Sequence, residues 1–142
     1  MSRTFKSDYI VGRANEITYL PHLQKAFNDP NLSHTQSKTD IFDFYSENKF
    51  VELKSRNFEH SKYPDTMIGI NKINYAKANP DKEYYFVFCF KDGLYYWKYN
   101  KEDKLNYRKG GRYDRGYNEI KDYCYIPINL LKNISLQSIN EF

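Results

Sequence analysis

Residues 40–56 read Asp-Ile-Phe-Asp-Phe-Tyr-Ser-Glu-Asn-Lys-Phe-Val-Glu-Leu-Lys-Ser-Arg, and this stretch decides the fold. It contains two short apolar runs, at 41–45 and 50–53, on either side of a polar segment at 46–49. Two apolar runs joined by a short polar turn are typical of paired antiparallel strands. The stretch therefore predicts a β-hairpin.

The alternation of side chains along a strand gives this hairpin a charged face. Phe50, Glu52 and Lys54 fall on one face of the second strand, and Val51 and Leu53 fall on the other. A loop of two or four residues places Asp43 directly opposite Glu52, where Cβ atoms are roughly 4.5–5.5 Å apart. Two carboxylates at that separation repel unless a cation lies between them. The hairpin therefore predicts a metal site with the Lys54 ammonium beside it.

Two alternatives remain open for these charges. A three-residue hairpin loop would reverse the parity and favour Asp40 over Asp43 as the partner of Glu52. The charges could also form an ordinary salt-bridge ladder on an exposed face, which would contribute little to stability. Because both strands are otherwise apolar, we favour the functional interpretation and Asp43 as the ligand.

The pattern Asp43-x8-Glu52-Leu53-Lys54 resembles the signature of the PD-(D/E)xK nuclease superfamily. That superfamily includes restriction endonucleases, Holliday-junction resolvases and phage or viral exonucleases. The proline that names the motif is absent before either aspartate, whereas the order of elements agrees over about residues 8–100. The resemblance implies an α/β fold with a restriction endonuclease-like αβββαβ core, a mixed central sheet flanked by helices, within a single domain over residues 1–142.

The resemblance also implies roles for individual residues. Asp43 would be the bridging metal ligand, Glu52 the second ligand, and the backbone carbonyl of Leu53 would complete the shell. Glu16, on the first predicted helix, matches the acidic residue that the superfamily brings near its metals. Mg²⁺ or Mn²⁺ is the implied cofactor, since Mg²⁺ prefers carboxylate oxygens and water. Lys54 would orient or deprotonate the attacking water, helped by a pKa that falls readily on partial burial.

Several basic residues are candidates for contact with nucleic acid. Arg56 follows the predicted metal site on the strand extension, and Lys72 matches the polar residue that the superfamily often has on its second helix; Tyr63 is a weaker candidate. Residues 100–118 alternate basic residues and tyrosines around two glycines, which predicts a flexible loop for phosphate contact and base stacking. Its candidate arginines are Arg108, Arg112 and Arg115. The alternative is a solvated loop that is basic by chance.

The remaining sequence predicts two helices and several strands. Asp8 is expected to cap a helix over about 9–20, and Pro21 to kink it or start a short second helix through Phe27. The buried residues of this first helix would be Ile10, Ala14, Ile17 and Leu20. Residues 28–39 are predicted to form a polar loop. A further helix is predicted to begin at Asp65 or Thr66 and to end before Pro80. The other predicted elements are a buried central strand at 83–90, a turn at 91–93, its partner strand at 94–99 and a last strand at 122–128.

Composition restricts the class of protein. The formal net charge is +4 and the pI about 8.9, which favours a polyanionic partner without requiring one. No apolar run reaches the length of a membrane span, and residues 1–6 lack the apolar core of a signal peptide. Cys89 and Cys124 lie within apolar runs and are expected to be buried thiols. These features predict an intracellular protein with no membrane partner, compatible with a virus or phage source.

The function that the sequence favours is a metal-dependent nuclease that acts on DNA at ends or unusual structures. The alternative is a catalytically inactive protein that binds nucleic acid, or another partner, on the same fold. A small α/β protein with no role on nucleic acid is a third possibility, which requires the hairpin charges to be a surface ladder. A homodimer is compatible with all three.

Overall fold

The computed structural model describes residues 5–36, 40–110 and 121–134, with side chains from Glu16 onwards. The helices are α1 (Phe5–Ala26) and α2 (Ile70–Ala78), and Ile128–Leu130 forms a short 3-10 helix. The strands are β1 (Ser33–His34), β2 (Phe44–Tyr45), β3 (Lys49–Ser55), β4 (Asp65–Gly69), β5 (Glu83–Phe90), β6 (Gly93–Lys98), β7 (Asn106–Gly110), β8 (Lys121–Pro127) and β9 (Lys132–Asn133). None of the described helices is long and apolar enough to cross a membrane.

A mixed six-stranded sheet forms the centre of the fold, in the order β1-β2-β3-β5-β6-β9. Strands β3 and β5 are parallel, and the other neighbouring pairs are antiparallel. A parallel pair needs a crossover connection, which β4 and α2 supply here. Apart from the two-residue strand β1 after α1, the elements follow the predicted αβββαβ order as α1, β2, β3, β4, α2, β5, and the α/β class is confirmed.

Both faces of the central sheet are covered by apolar side chains. On one face the end of α1 packs on β3 and β5, and the members of that cluster include Leu23, Phe27, Val51, Leu53, Tyr85 and Val87. On the other face α2 and β8 pack on β5, and the members there include Ile73, Ala76, Phe86, Phe88, Cys124 and Ile126. Burial from both sides explains the nearly unbroken apolar sequence of β5.

The predicted hairpin and its faces are confirmed. Phe44 pairs with Val51 and Tyr45 with Phe50, in the register expected for a loop of even length. Val51 and Leu53 belong to the α1-side cluster, whereas Phe50 packs against the α2-side cluster. Glu52 and Lys54 therefore face α2. The predicted β5–β6 hairpin and the last strand are also present. Cys89 and Cys124 are free thiols, but only Cys124 is buried as expected, whereas Cys89 is half-buried.

The first helix differs from the prediction in its limits and in its buried face. It begins at Phe5, so Asp8 lies inside the helix and is not its cap. It continues through Pro21 to Ala26 as one helix. Ile17 is 60% exposed, whereas Leu23 and Ala26, beyond the proline, are buried. The core contact is therefore made by the C-terminal part of the helix.

Three segments predicted as helix or loop are strands. Residues 65–69 form β4, residues 106–110 form β7, and residues 33–34 form β1. β4 and β7 pair on either side of β8 in a separate three-stranded sheet. In β4 the buried residues Thr66 and Ile68 alternate with less buried neighbours, which is the period of a strand. The helix predicted from Asp65 begins only at Ile70.

Candidate active site

Strand β3 carries a buried carboxylate between two ammonium groups. Glu52 is only 2% exposed. The Nζ atom of Lys54 lies 3.1 Å from its Oε2 atom, and the Nζ atom of Lys72 lies 3.6 Å from its Oε1 atom. Lys72 comes from α2 and lies over the ring of Phe42, 5.3 Å from its centroid. The structure therefore brings Lys72, a residue predicted for phosphate contact, to the Glu52–Lys54 pair.

One oxygen of Glu52 lacks a hydrogen bond. Its Oε1 atom is buried and has no hydrogen-bond partner among the residues that the structure describes, because the Lys72 ammonium, an ion-pair partner at 3.6 Å, is beyond hydrogen-bonding distance. Buried polar atoms are nearly always hydrogen-bonded, and an exception often marks a functional site or an ion. This oxygen has the chemistry of a ligand for a hard cation.

Asp43 lies in a β-bulge at the start of β2. Phe44 is the ladder partner of Val51, and the amide of Asp43 also donates to the Val51 carbonyl, at 3.1 Å. Asp43 and Phe44 thus both lie opposite Val51, which defines a β-bulge. A bulge commonly redirects a side chain. The predicted register holds at Phe44 but shifts at Asp43, so this side chain is not simply opposite Glu52.

The redirected carboxylate binds the backbone of the β3 strand. Its Oδ2 atom accepts a hydrogen bond from the amide of Leu53 at 2.8 Å. The carbonyl of Asp43 accepts from both the amide and the hydroxyl of Thr35, at 2.9 and 3.0 Å. Asp43 is therefore fixed through its backbone and its side chain. Asp40, the alternative candidate, is exposed.

The backbone carbonyl of Leu53 is positioned at the same edge of β3. A residue in a strand directs its N–H and its C=O toward the same neighbour. The Leu53 amide donates to the carboxylate of Asp43, so the Leu53 carbonyl also points to this side of β3. Asp43 lies just before Phe44, the first residue of β2. An oxygen at this edge is compatible with the ligand role that the superfamily resemblance implies.

Burial, together with neighbouring negative charge, raises the pKa of Asp43 to about 9. Burial is the main cause, and the carboxylates of Glu52 and Glu16 add to it. The bond from Leu53 and the charge of Lys54 offset only part of the effect. A cation bound at this place would offset that negative charge and would displace the proton.

We expect the Asp43→Asn variant without metal to unfold at a higher Tm than the wild type at pH 8. The folded-state pKa of about 9 lies above the ordinary value of 3.8, so the contribution of Asp43 to stability is fully present below about pH 4 and falls as the pH rises to about 9. Asparagine has no such loss. Thermal unfolding in EDTA at pH 4 and pH 8 measures the difference, which should be a few degrees at pH 8 and absent at pH 4.

The matched control for this prediction is Asp122→Asn. Asp122 is an exposed aspartate of β8 whose carboxylate lies 3.4 Å from Lys109, so its substitution should leave the Tm nearly unchanged at both pH values. A wild-type protein that gains stability relative to Asp43→Asn between pH 4 and pH 8 would contradict the raised pKa.

The pKa of Lys54 is raised, not lowered. The nearby Glu52 carboxylate is the main cause and outweighs the effect of burial, with a further contribution from Asp43. The Lys54 side chain remains 39% exposed. The expectation of a readily lowered pKa is therefore wrong for the protein without metal, and Lys54 is a fixed positive charge at neutral pH.

Glu16 lies near this group but bonds to a residue that the sequence did not single out. Its Oε1 atom lies 2.7 Å from Nε2 of His34, and both side chains are nearly buried. Its charge contributes to the raised pKa of Asp43, so Glu16 lies close enough to act on that carboxylate. His34 and Thr35 were missed because β1 has only two residues and gives no pattern in the sequence.

The carboxylates are not gathered into a complete metal cage. Across residues 5–36, 40–110 and 121–134, no three His, Cys, Asp or Glu side chains are grouped so as to hold a metal ion. Asp43 and Glu52 still fit a divalent ion, because Asp43 has a raised pKa and Glu52 has a buried oxygen that accepts no hydrogen bond from the described residues. Mg²⁺ commonly takes only one or two protein carboxylates and completes its shell with water and substrate.

The other predicted contact residues are distributed around the end of β3. The guanidinium of Arg56 donates to the Met67 carbonyl at 2.6 Å and to the Thr66 hydroxyl at 3.2 Å, so it joins β3 to β4. Arg108 lies on strand β7 and pairs with Asp65 at 3.2 Å, so it does not belong to a flexible loop. The predictions for Arg112 and Arg115 lie outside the described residues.

Comparison with known proteins identifies the family. A family model described as "Phage putative PDDEXK endonuclease" matches residues 32–134. A search of curated proteins found no match. The matched range contains Asp43, Glu52, Lys54 and Lys72, whereas Glu16 precedes it. Since the match covers most of the 142 residues, the chain belongs to this family of phage PDDEXK endonucleases.

Proposed function

We propose that this protein is a divalent-metal-dependent endonuclease that hydrolyses phosphodiester bonds in DNA. The family supports a virus-encoded nuclease. The observation that carries the proposal is the buried Glu52 carboxylate, which has one oxygen without a hydrogen bond in the described part of the chain and the Lys54 ammonium at 3.1 Å from the other. A plain surface ladder does not account for a carboxylate that is 2% exposed.

The proposed metal ligands are Asp43, Glu52 and the carbonyl of Leu53, with Glu16 holding a metal-bound water or a second ion. When bound, Mg²⁺ or Mn²⁺ would lower the pKa of a bound water and stabilise charge on the phosphate. The hydrogen bond from the Leu53 amide keeps one Asp43 oxygen in place and leaves the other available. The bonds from Thr35 prevent the bulge from moving away.

Two lysines would act on the phosphate and the water. Lys54 is 39% exposed and keeps its charge, so its ammonium can orient the attacking water and hold a phosphate oxygen. Lys72 is 15% exposed and remains close to Glu52, so it is suited to the neighbouring phosphate or to neutralising the site before DNA arrives. Arg56, Arg108, Arg112 and Arg115 remain proposed contacts to the DNA backbone.

Cleavage should require Mg²⁺ or Mn²⁺ and should stop in EDTA, because the proposed ligands are oxygens without a histidine or thiolate cluster. Incubation with supercoiled plasmid, linear duplex, single strands and a four-way junction measures this. Relaxation of the closed circle would demonstrate endonuclease action. Undiminished cleavage of all four substrates in EDTA would rule out the proposed mechanism.

The second candidate is a protein that binds nucleic acid without cutting it. It is favoured by the fact that two lysines already neutralise Glu52 and that His34 already binds Glu16. The same four substrates distinguish the candidates, since a binding protein would shift their mobility in Mg²⁺ and leave them intact. Homodimerisation is a separate prediction, which the mass in solution tests.

A further inference from the structure

A cleft of about 880 Å³ begins at the end of β3, the strand that carries Glu52 and Lys54. It is lined by Ser55 and Arg56, the two residues after Lys54, and by residues of β4, β7 and β8. Sites that take a small organic group commonly measure about 300–1,000 Å³. Since a strand rises roughly 3.3 Å per residue, Arg56 is displaced from Lys54 by about 7 Å along β3.

The walls of this cleft offer flat groups for stacking. Tyr63 lines it and is 48% exposed, held edge-on by Phe58 at a centroid distance of 5.0 Å. Arg108 also lines the cleft, and its guanidinium lies 3.5 Å from the centroid of the Tyr125 ring. Asp65 holds this guanidinium at 3.2 Å, and the side chain remains 50% exposed. Both flat groups are thus held by a neighbouring ring, and the Lys62 ammonium also lies 5.6 Å from the centroid of Tyr63.

The charge of the cleft is positive. Arg56, Lys91 and Arg108 line it, and Asp65 is the one acidic residue among the lining residues that the structure describes. Arg56 is bonded to the Met67 carbonyl and the Thr66 hydroxyl, so its charge is fixed in the wall. A base can stack on the Tyr63 ring or the Arg108 guanidinium, and a phosphate is attracted by the positive charge of Arg56. The cleft therefore fits a nucleotide with an exposed base.

We propose that this cleft binds an unpaired nucleobase of the DNA strand that is cut, on the side of the scissile phosphate reached by the end of β3. The proposal rests on the proposed nuclease function and specifies its substrate, which is a duplex with a single-stranded or unstacked nucleotide next to the cleavage site. The base stacks on the Tyr63 ring and contacts the Arg108 guanidinium, and its phosphate faces Arg56. Sequence preference is weak, because stacking tolerates any base.

Binding in EDTA, where the proposed chemistry is blocked, tests the cleft. The probes are a labelled thymidine oligomer and an abasic oligomer of the same length and charge, measured by fluorescence anisotropy. The wild type should bind the thymidine oligomer about fivefold to a hundredfold more tightly, the range for stacking of one base. Tyr63→Leu should remove most of this difference and leave binding of the abasic oligomer unchanged, whereas Tyr63→Phe should retain it.

Two further variants make the test decisive. Tyr45→Leu is the matched control, since Tyr45 is 46% exposed but does not line the cleft, and it should behave as the wild type. Arg108→Gln removes the second stacking group and should reduce the difference as Tyr63→Leu does, which covers the case of a Tyr63 variant that does not fold. Equal binding of both oligomers by the wild type, or an equal loss in Tyr45→Leu, would overturn the proposal.

Failure of the cleft and failure of the nuclease function give different results. A protein that cleaves plasmid with Mg²⁺ but does not distinguish the two oligomers retains the function and loses the stacking site. A protein that distinguishes the oligomers but cuts no substrate retains the stacking site and is a binding protein. Preference for an aromatic peptide over both oligomers in the same anisotropy assay would assign the cleft to a protein partner and reject the nucleobase.

Discussion

Glu52→Gln is expected to lower the rate of DNA cleavage by at least about a hundredfold. Loss of a residue that only orients a metal ligand typically costs about 10- to 100-fold, so loss of a proposed ligand should cost no less. The amide keeps the shape of the side chain but cannot supply anionic oxygen to a cation. The substitution would also remove the negative charge of Glu52, which contributes to the raised pKa values of Asp43 and Lys54.

Plasmid cleavage and calorimetric titration with Mg²⁺ measure the two consequences of Glu52→Gln. Cleavage and metal binding should fall together, since the same oxygens serve both. Glu83→Gln is the matched control, because Glu83 lies on the neighbouring strand β5 and pairs with Lys98 at 2.9 Å outside the site. Full activity of Glu52→Gln with normal metal binding would transfer the ligand role to other residues.

The hairpin could be predicted because its two faces face different surroundings. Val51 and Leu53 meet the end of α1, whereas Glu52 and Lys54 face α2, and alternation in the sequence reports that difference directly. The bulge at Asp43 could not be predicted in the same way. One extra residue in a strand leaves the apolar pattern on either side intact, so it becomes visible only in the hydrogen bonds to Val51 and Leu53.

Strand β4 was missed because its partner β8 is distant in the chain, and β7 was missed because its residues are mostly exposed and show no apolar alternation. Asp65 and Thr66 look like helix caps, and the apolar residues after them continue into α2 at helical spacing. Pairing of Thr66 with Ile126 across the second sheet overrides this local preference for the first five residues. The same sheet holds Arg108 against Tyr125. Part of the segment predicted as a loop is therefore strand β7, and its Arg108 lines the cleft.

The environment of the lysines depends on tertiary contacts that no local pattern specifies. The sequence places Lys54 beside Glu52, but a lowered and a raised pKa are both compatible with that spacing. Burial lowers the pKa of a lysine and a carboxylate raises it, and the 3.1 Å contact decides in favour of the carboxylate. This result bears on how Lys54 acts, because a lysine with a raised pKa is poorly suited to accept a proton.

Lys54→Ala should reduce turnover by about 10²- to 10⁴-fold, the range typical of a group that assists proton transfer or positions the attacking water. Metal affinity should be retained within a few-fold, because the ammonium competes with a cation for Glu52 and is not itself a ligand. Lys98→Ala is the matched control, since it removes an ammonium that pairs with Glu83 on the adjacent strand at 2.9 Å. It should leave turnover and metal binding unchanged.

Lys54→Arg separates the two ways in which Lys54 could act. If the residue contributes only a fixed positive charge to the phosphate, arginine should recover a substantial part of the turnover, because its charge is permanent. If the residue must release a proton to act on water, arginine should be as inactive as alanine, since its pKa is too high. The raised pKa of Lys54 favours recovery.

Loss of metal binding in Lys54→Ala together with its retention in Glu52→Gln would show that the roles of these neighbours have been assigned in reverse.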